Sequence, residues 1–199
     1  MGKKVSPIVR YKKKLISSIV NSPELVELVN ADYVGGVWMS EGSILKDIGS
    51  YKNKLLSVFT TSNDICELLF NKKPYTGEDA DNLLYSQVFP YLYVNETQTD
   101  VKAYICCEVD IPRVPTGTIK DMKLIIWAYC HKEGMKYSKD GYVGTKADIL
   151  ADMIERQLRD SDEFGIGKLQ LQSAPYFFPS KDYYGRQLIY TIPDFKVSK

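Results

Sequence analysis

VKAYICCEVDIPRVPTGTIKDMKLIIWAYCH, residues 101–131, is the stretch that decides the fold. Apolar and polar residues alternate from Val101 to Ile111 and again from Met122 to His131, a period of two that is typical of half-buried strands. Prolines and a glycine between the two segments break the pattern and indicate a loop. The stretch therefore predicts two long neighbouring strands joined as an antiparallel hairpin.

The residues that follow predict a helix and a second hairpin. Thr145 can cap a helix over 145–158, where apolar residues recur at three- and four-residue spacing. Alternation at 169–172 and 188–192 indicates two further strands. This order predicts an α+β fold, with an antiparallel sheet of about four to five strands, an amphipathic helix between two hairpins, and N-terminal helices packed on one face.

The N-terminal half is less regular. Helical spacing over 11–30 predicts two short helices, or one that bends at Pro23, and 65–69 fits a further helix. Residues 31–95 as a whole predict an irregular helix and loop region, in which 55–60 is a candidate short strand.

We predict one α+β domain over 1–199, because the first 60 residues lack a clear core of their own. Residues 98–195 form its strand-strand-helix-strand-strand core.

Charge gives no overall preference for a partner. The chain has 26 basic and 25 acidic residues and a net charge of +1, and no run approaches the roughly 18 apolar residues of a membrane span. Residues 1–14 are the exception, with six positive charges and no acid. They form either the solvated start of a helix or a basic arm that docks on an acidic neighbour or on DNA.

Cysteine and histidine usage predicts no metal or cofactor. Cys66, Cys106, Cys107 and Cys130 show no CxxC spacing, and the adjacent pair must point to opposite faces of its strand. We therefore expect four buried, free thiols. His131, the only histidine, lies near a strand end, where we expect it on the surface.

Four charged residues of the first hairpin are the best candidates for catalysis. Glu108 and Asp110 share one strand face, and Asp121 and Lys123 begin the next strand. A Mg²⁺-dependent nuclease needs carboxylates for the ion and a lysine near the attacking water. Charged residues that alternate along a solvent-facing sheet would give the same pattern, so both interpretations stand.

The aromatic segment near the C-terminus is the best candidate for binding. Five aromatic residues fall within nine positions, in PYFFP and DYYG, and two prolines stiffen the first group. Either they cover the helix, or they form a projecting hairpin that docks on a partner subunit. With the basic arm they supply the candidate subunit-interface residues, which are Lys12, Lys13, Lys14, Tyr176, Phe177, Phe178, Tyr183 and Tyr184.

The run GTKADILADMIERQLRDSDEFGIGKLQLQSAPYFFPSKDYYGRQLIYTIPDF, residues 144–195, resembles the second half of tail-terminator and tail-completion proteins of long-tailed bacteriophages. The resemblance covers residues 98–195 in element order. It implies a non-enzymatic virion protein of the neck, which forms a ring, commonly a hexamer, that caps the tail tube and joins it to the head connector. The longer region 31–95 departs from the pattern and leaves an adjacent neck role open.

The resemblance also implies a set of partners. These are further copies of the chain, tail-tube protein and head-connector protein, with DNA only as the genome passing through the ring channel. It implies no cofactor, no small-molecule substrate and no membrane, and a location in the virion or, during assembly, in the host cytoplasm. The nuclease is the alternative function.

Overall fold

The computed structural model describes residues 33–34, 37–38, 45–71, 77–97, 99–115 and 119–195. The chain divides into two compact units, Met1–Glu41 with Lys199, and Gly42–Ser198. In the first unit, strands β1 (Tyr33–Val34) and β2 (Val37–Trp38) pair antiparallel. The expected helices over 11–30 and the basic arm 1–14 lie outside the described residues.

Three helices open the second unit: α1 (Lys46–Thr61), α2 (Asn63–Phe70) and the short α3 (Gly77–Asp81). Tyr51, Leu55 and Phe59 recur every four residues along α1 and are its buried positions, as expected for a helix with one face on the core. The expected short strand at 55–60 was therefore wrong, whereas α2 confirms the helix expected over 65–69. Within the described part of 31–95, helices α1 and α2 are thus more regular than the sequence indicated.

A six-stranded sheet forms the centre of this unit. Its strands are β3 (Val88–Phe89), β4 (Ala103–Arg113), β5 (Ile119–His131), β6 (Leu171–Ser173), β7 (Tyr176–Ser180) and β8 (Tyr183–Phe195). Their order across the sheet is β3-β4-β5-β8-β6, and β7 also pairs with β8. Only β3 and β4 run parallel. The mostly antiparallel α+β fold confirms the predicted class, with β4 and β5 as the predicted hairpin.

Helix α4 (Lys146–Leu158) lies between the two hairpins, as predicted. It begins at a capping box, in which Thr145 and Asp148 each bond the other's backbone N–H. Its apolar face packs on β5 and β8, while α1 and α2 pack on β4. Helices α1, α2 and α4 lie against the same face of the sheet and form one hydrophobic core with it.

A partly buried ion pair connects α1 to the sheet. Lys120 of β5 is fully buried, and its ammonium group donates a hydrogen bond to the Asp47 carboxylate near the start of α1. A buried ammonium is costly without a partner, so this bond fixes where α1 lies on the strand.

The opposite face of the sheet carries a second, aromatic cluster. Its fully or nearly buried members are Phe89, Tyr104, Cys106, Tyr129 and Tyr183. Phe89 stacks on the Tyr93 ring, and the Tyr129 hydroxyl donates to the Tyr93 backbone oxygen, which holds the chain segment after β3 against the sheet. The two sheet faces thus differ: helices cover one, and aromatic side chains with a short chain segment cover part of the other.

Candidate interaction surface at the outer sheet edge

The outer edge of the sheet, formed by β6 and β7, exposes large apolar side chains. Leu171 is 37% exposed, Tyr176 61% and Phe178 52%. Tyr176 lies opposite Arg186, and Leu171 opposite Tyr190, in the pairing with β8. Side chains at even positions of β8 lie on the helical face of the sheet, so these exposed residues lie on that face as well.

Tyr184 extends this exposed strip toward the hairpin turn. Its ring centroid lies 5.2 Å from that of Phe178, and its hydroxyl donates a hydrogen bond to the Lys181 backbone oxygen at 3.0 Å. We define the edge strip as Leu171, Tyr176, Phe178 and Tyr184. Tyrosine and phenylalanine that stay exposed on one face are typical of protein interfaces, because each buries a large area at low entropic cost.

Two of the five aromatic candidates lie on the opposite face of the sheet. Phe177 is half-buried, with its ring centroid 6.1 Å from that of Trp127. Tyr183 is fully buried, and its hydroxyl donates to the Asp100 backbone oxygen at 2.8 Å. The expectation that the aromatics cover the helix was wrong for these two, because they pack on the sheet face opposite the helices. The other three stay partly or largely exposed on the helical face. Lys12, Lys13 and Lys14 lie outside the described residues.

The backbone of this edge is poorly suited to pairing with another strand. Pro175 contributes only its carbonyl, which accepts a 3.0 Å hydrogen bond from the Gln187 N–H, and the β7–β8 register shifts between Phe177 and Ser180. A second proline, Pro179, lies within that irregularity. Prolines and bulges disrupt the regular row of donors and acceptors that an added strand requires. Side chains rather than backbone groups are thus what the edge offers to a partner.

A groove of about 400 Å³ lies beside the edge strip, between α4 and the strands β6 and β8. Its apolar lining comes from Leu171, Ala174, Leu188 and Ala151. Its charged lining consists of three carboxylates and one guanidinium, which belong to Asp148, Asp152, Glu155 and Arg186.

A hydrogen-bonded ion pair between Asp148 of α4 and Arg186 of β8 connects the two sides of the groove. The guanidinium Nε of Arg186 donates to a carboxylate oxygen of Asp148 at 2.9 Å. Partial burial alone would raise the pKa of Asp148, but hydrogen bonds from Thr145 and Arg186 outweigh it and hold that pKa below its usual value. The other two groove carboxylates are also paired with arginines: Arg156 donates to Asp152 at 2.7 Å, and Arg159 donates to Glu155 at 2.8 Å.

The groove residues were missed in the sequence because their meeting depends on tertiary structure. The capping box marks Asp148, and the alternation around Leu188 places a charged residue, Arg186, on the buried face of a strand. A charged residue on that face signals a partner from the layer packed on it. Neither signal says which element supplies the partner.

The four charged residues of the first hairpin do share one sheet face. Asp110 lies opposite Lys123, and Asp121 accepts a 2.8 Å hydrogen bond from Arg113. Glu108 forms a 2.5 Å ion pair with Lys52 and accepts the Val109 N–H. In the part of the chain that the structure describes, no group of three His, Cys, Asp or Glu residues is placed to hold a metal ion.

The cysteines are buried and free, as predicted. Cys106 lies in the aromatic cluster and Cys107 in the main core, so the adjacent pair does point to opposite faces. Burial raises the pKa of Cys107 to about 12 and that of Cys130 to about 11. Such thiols stay protonated and unreactive at neutral pH.

The expectation of an exposed His131 was wrong. The side chain is only 4% exposed, because β8 extends alongside the end of β5 and the Tyr183 ring packs edge-on against the imidazole at 5.2 Å between centroids. Its Nδ1 accepts the Glu133 N–H at 3.3 Å, which begins a 3₁₀ turn over Lys132–Gly134. His131 is therefore a structural residue at the end of β5.

A family model described as YomW matches residues 62–192, more than half of the chain. The chain belongs to the YomW family. The YomW match includes α2, α4, both long hairpin strands and most of β8, and with them the edge strip and the groove. Helix α1 and the first unit lie outside the residues matched to YomW. No curated protein sequence matches the chain significantly.

No helix among the described ranges is long and apolar enough to cross a membrane.

Proposed function

We propose that this protein is a non-enzymatic structural component of a phage neck or tail, and that it assembles into a ring through the edge strip. The resemblance of residues 98–195 to tail terminators supplies the biological setting. The observation that carries the proposal is the edge strip itself, three of whose four side chains are exposed on one sheet face. The confirmed α+β element order is compatible with it.

The physical argument for assembly rests on how the strip is built. An exposed apolar strip gains free energy when a partner removes it from water, at roughly 25 cal/mol per Å². The prolines and the bulge disfavour sheet extension, which would otherwise lead to uncontrolled aggregation. An edge that exposes aromatic rings, and whose backbone cannot readily pair with another strand, is thus suited to a specific contact through side chains.

Ring closure requires two different, complementary patches on each subunit. The edge strip is our candidate for one of them, and residues 1–14 belong to the other. The proposed partners are further copies in a hexameric ring, tail-tube protein and head-connector protein, and the proposed location is the virion. In this role the chain uses no cofactor and meets DNA only as the passing genome.

The test is the mass of the protein in solution. Sedimentation velocity of the full chain should show a closed oligomer, and Tyr176→Ser combined with Phe178→Ser should weaken association by about 100-fold. Each ring is about half exposed, so it forfeits up to about half of the roughly 1.5–3 kcal/mol that full burial contributes. Tyr85→Ser is the matched control, because Tyr85 is 65% exposed but lies far along the chain from the strip. A double variant that associates like the control would contradict the proposal.

The nuclease remains the second candidate, because Asp110 lies opposite Lys123 on the face that also carries Glu108 and Asp121. It predicts DNA cleavage that requires Mg²⁺ or Mn²⁺ and is lost in Asp110→Ala and in Asp121→Ala. Tyr176→Ser with Phe178→Ser should leave such cleavage unchanged. Cleavage by the wild-type chain that both aspartate variants lose would favour the nuclease over the structural role.

A further inference from the structure

The sheet edge at β4 is open along much of its length. Strand β4 has 11 residues, but among the residues that the structure describes β3 pairs with it only at Ile105 and Cys106. On that side the Ile105 N–H donates to the Gln87 backbone oxygen at 2.8 Å. The pairing with β5 is regular up to Asp110, and backbone groups alternate between the two sides of a strand. The Val109 N–H and carbonyl therefore face the β3 side, beyond the end of β3.

A side chain occupies the position that a neighbouring strand would take beside Val109. The Glu108 carboxylate accepts the Val109 N–H at 3.0 Å, as the carbonyl of an added strand would. The same carboxylate forms a 2.5 Å ion pair with Lys52 of α1. Cys107 and Val109 belong to the helical core, so Glu108 between them lies on the opposite face, whereas α1 lies on the helical face. The ion pair therefore crosses the open edge from one face of the sheet to the other.

The charges along this edge also oppose its pairing with the same edge of a second copy. If two copies of β4 paired antiparallel about Val109, Glu108 of each copy would lie opposite Asp110 of the other. Like charges directly opposite each other destabilise a pair of strands. The incoming strand would in addition have to displace the carboxylate from the Val109 N–H and break the ion pair with Lys52.

We propose that the Glu108–Lys52 ion pair protects the β4 edge from pairing with a strand of a second copy. This inference goes beyond the proposed function, since it concerns the edge that stays out of any assembly. Unpaired strand edges are templates for uncontrolled pairing, and charged side chains placed on them are a common protection. The two edges of the sheet are thus protected differently: β7 by prolines and a bulge, and β4 by a carboxylate that a helix holds in place.

Glu108→Val tests the protection in a full chain that also carries Tyr176→Ser and Phe178→Ser, so that association through the edge strip is already removed. Adding Glu108→Val should strengthen self-association at least about tenfold, because it removes the cap and both like-charge contacts and supplies a strand-forming residue. Glu133→Val is the matched control, since Glu133 is exposed in the 3₁₀ turn after β5. Equal sedimentation of the two variants would overturn the inference.

Glu108→Gln separates the hydrogen bond from the charge. Its amide oxygen can still accept the Val109 N–H, so in the same background it should associate at least about threefold more weakly than Glu108→Val, as expected for one retained hydrogen bond. Association as strong as that of Glu108→Val would contradict the role assigned to the cap.

Hydrogen exchange at Val109 gives a readout that does not depend on association. In dilute solution, where single chains predominate, the Val109 N–H should exchange at least about tenfold faster in Glu108→Val than in the unmodified chain, because a hydrogen bond to a charged acceptor is lost. The Ile105 N–H, which bonds to Gln87, is the control for folding and should be unchanged. Unchanged exchange at both amides would overturn the inference, whether or not the edge strip assembles the protein.

Discussion

Replacing Gly185 by alanine should severely destabilise the protein. Gly185 lies opposite Tyr129 in the β5–β8 pairing, which runs from Ile119 with Phe195 to His131 with Tyr183. A Cβ added at Gly185 would lie 2.0 Å from the Ala128 backbone oxygen and 2.6 Å from the Tyr129 Cα. Both are backbone atoms, so no side-chain rotation can relieve the clash, and the two central strands must separate.

The expected cost is about 3 kcal/mol or more, at or above the upper end of ordinary overpacking, because the displaced atoms belong to a ladder between two buried strands. A domain of this size is typically stable by about 5–15 kcal/mol, so the variant should show a much lower urea midpoint or fail to fold.

Gly49→Ala is the matched control for the same glycine-to-alanine change. A Cβ at Gly49 in α1 meets nothing within 4 Å, so this variant should be stabilised by up to about 1 kcal/mol. The assay is urea unfolding followed by circular dichroism. A Gly185→Ala free energy of unfolding within about 1 kcal/mol of the wild-type value would refute the close strand approach and the register derived from it.

Three further predictions concern the core, the groove and the thiols. Leu55→Ala should cost about 2–5 kcal/mol in urea unfolding if Leu55 lies in the core face of α1, and less than 1 kcal/mol would contradict the helix there. The pKa of Asp148 is lowered on folding, so its contribution to stability is present above the unfolded pKa and is lost as the pH falls through the folded pKa. Asp148→Asn should therefore lower stability at pH 7 and flatten its decline in acid; an acid profile parallel to that of the wild type would count against the Arg186 and Thr145 bonds. Cys107 and Cys130, whose pKa values burial raises to about 12 and about 11, should not react with a disulfide reagent at pH 8 until the chain unfolds, and rapid labelling of the native protein would disprove their burial.

The sequence predicted secondary structure best where the spacing of apolar residues matches the residues that are buried. Alternation placed β4 and β5 correctly because one face of each strand lies on the helical core, and the helical period of α4 is clear because polar residues occupy its outer side. In α1, the half-buried Leu56 and Val58 lie next to the buried Leu55. The apolar residues of this short segment therefore lack clear helical spacing and resemble those of a strand.

The candidate site was harder to predict because it depends on contacts between distant elements. The prolines around Tyr176 indicated a stiffened segment between the last two strands, yet pairing with β8 makes 176–180 a strand of its own. Whether an aromatic residue of that strand is exposed depends on its face, which separates Tyr176 from Phe177. The contact between Asp148 and Arg186 depends on how α4 lies across β8, and no local pattern encodes that placement.

The most direct test of the account is the mass of the full chain by sedimentation velocity, measured beside Tyr176→Ser with Phe178→Ser. Self-assembly through the outer sheet edge predicts a closed oligomer for the wild type and a shift toward the single-chain mass of 22.7 kDa for the double variant. A wild-type chain that sediments at 22.7 kDa at every concentration, or a double variant that keeps the wild-type oligomer, would contradict the account.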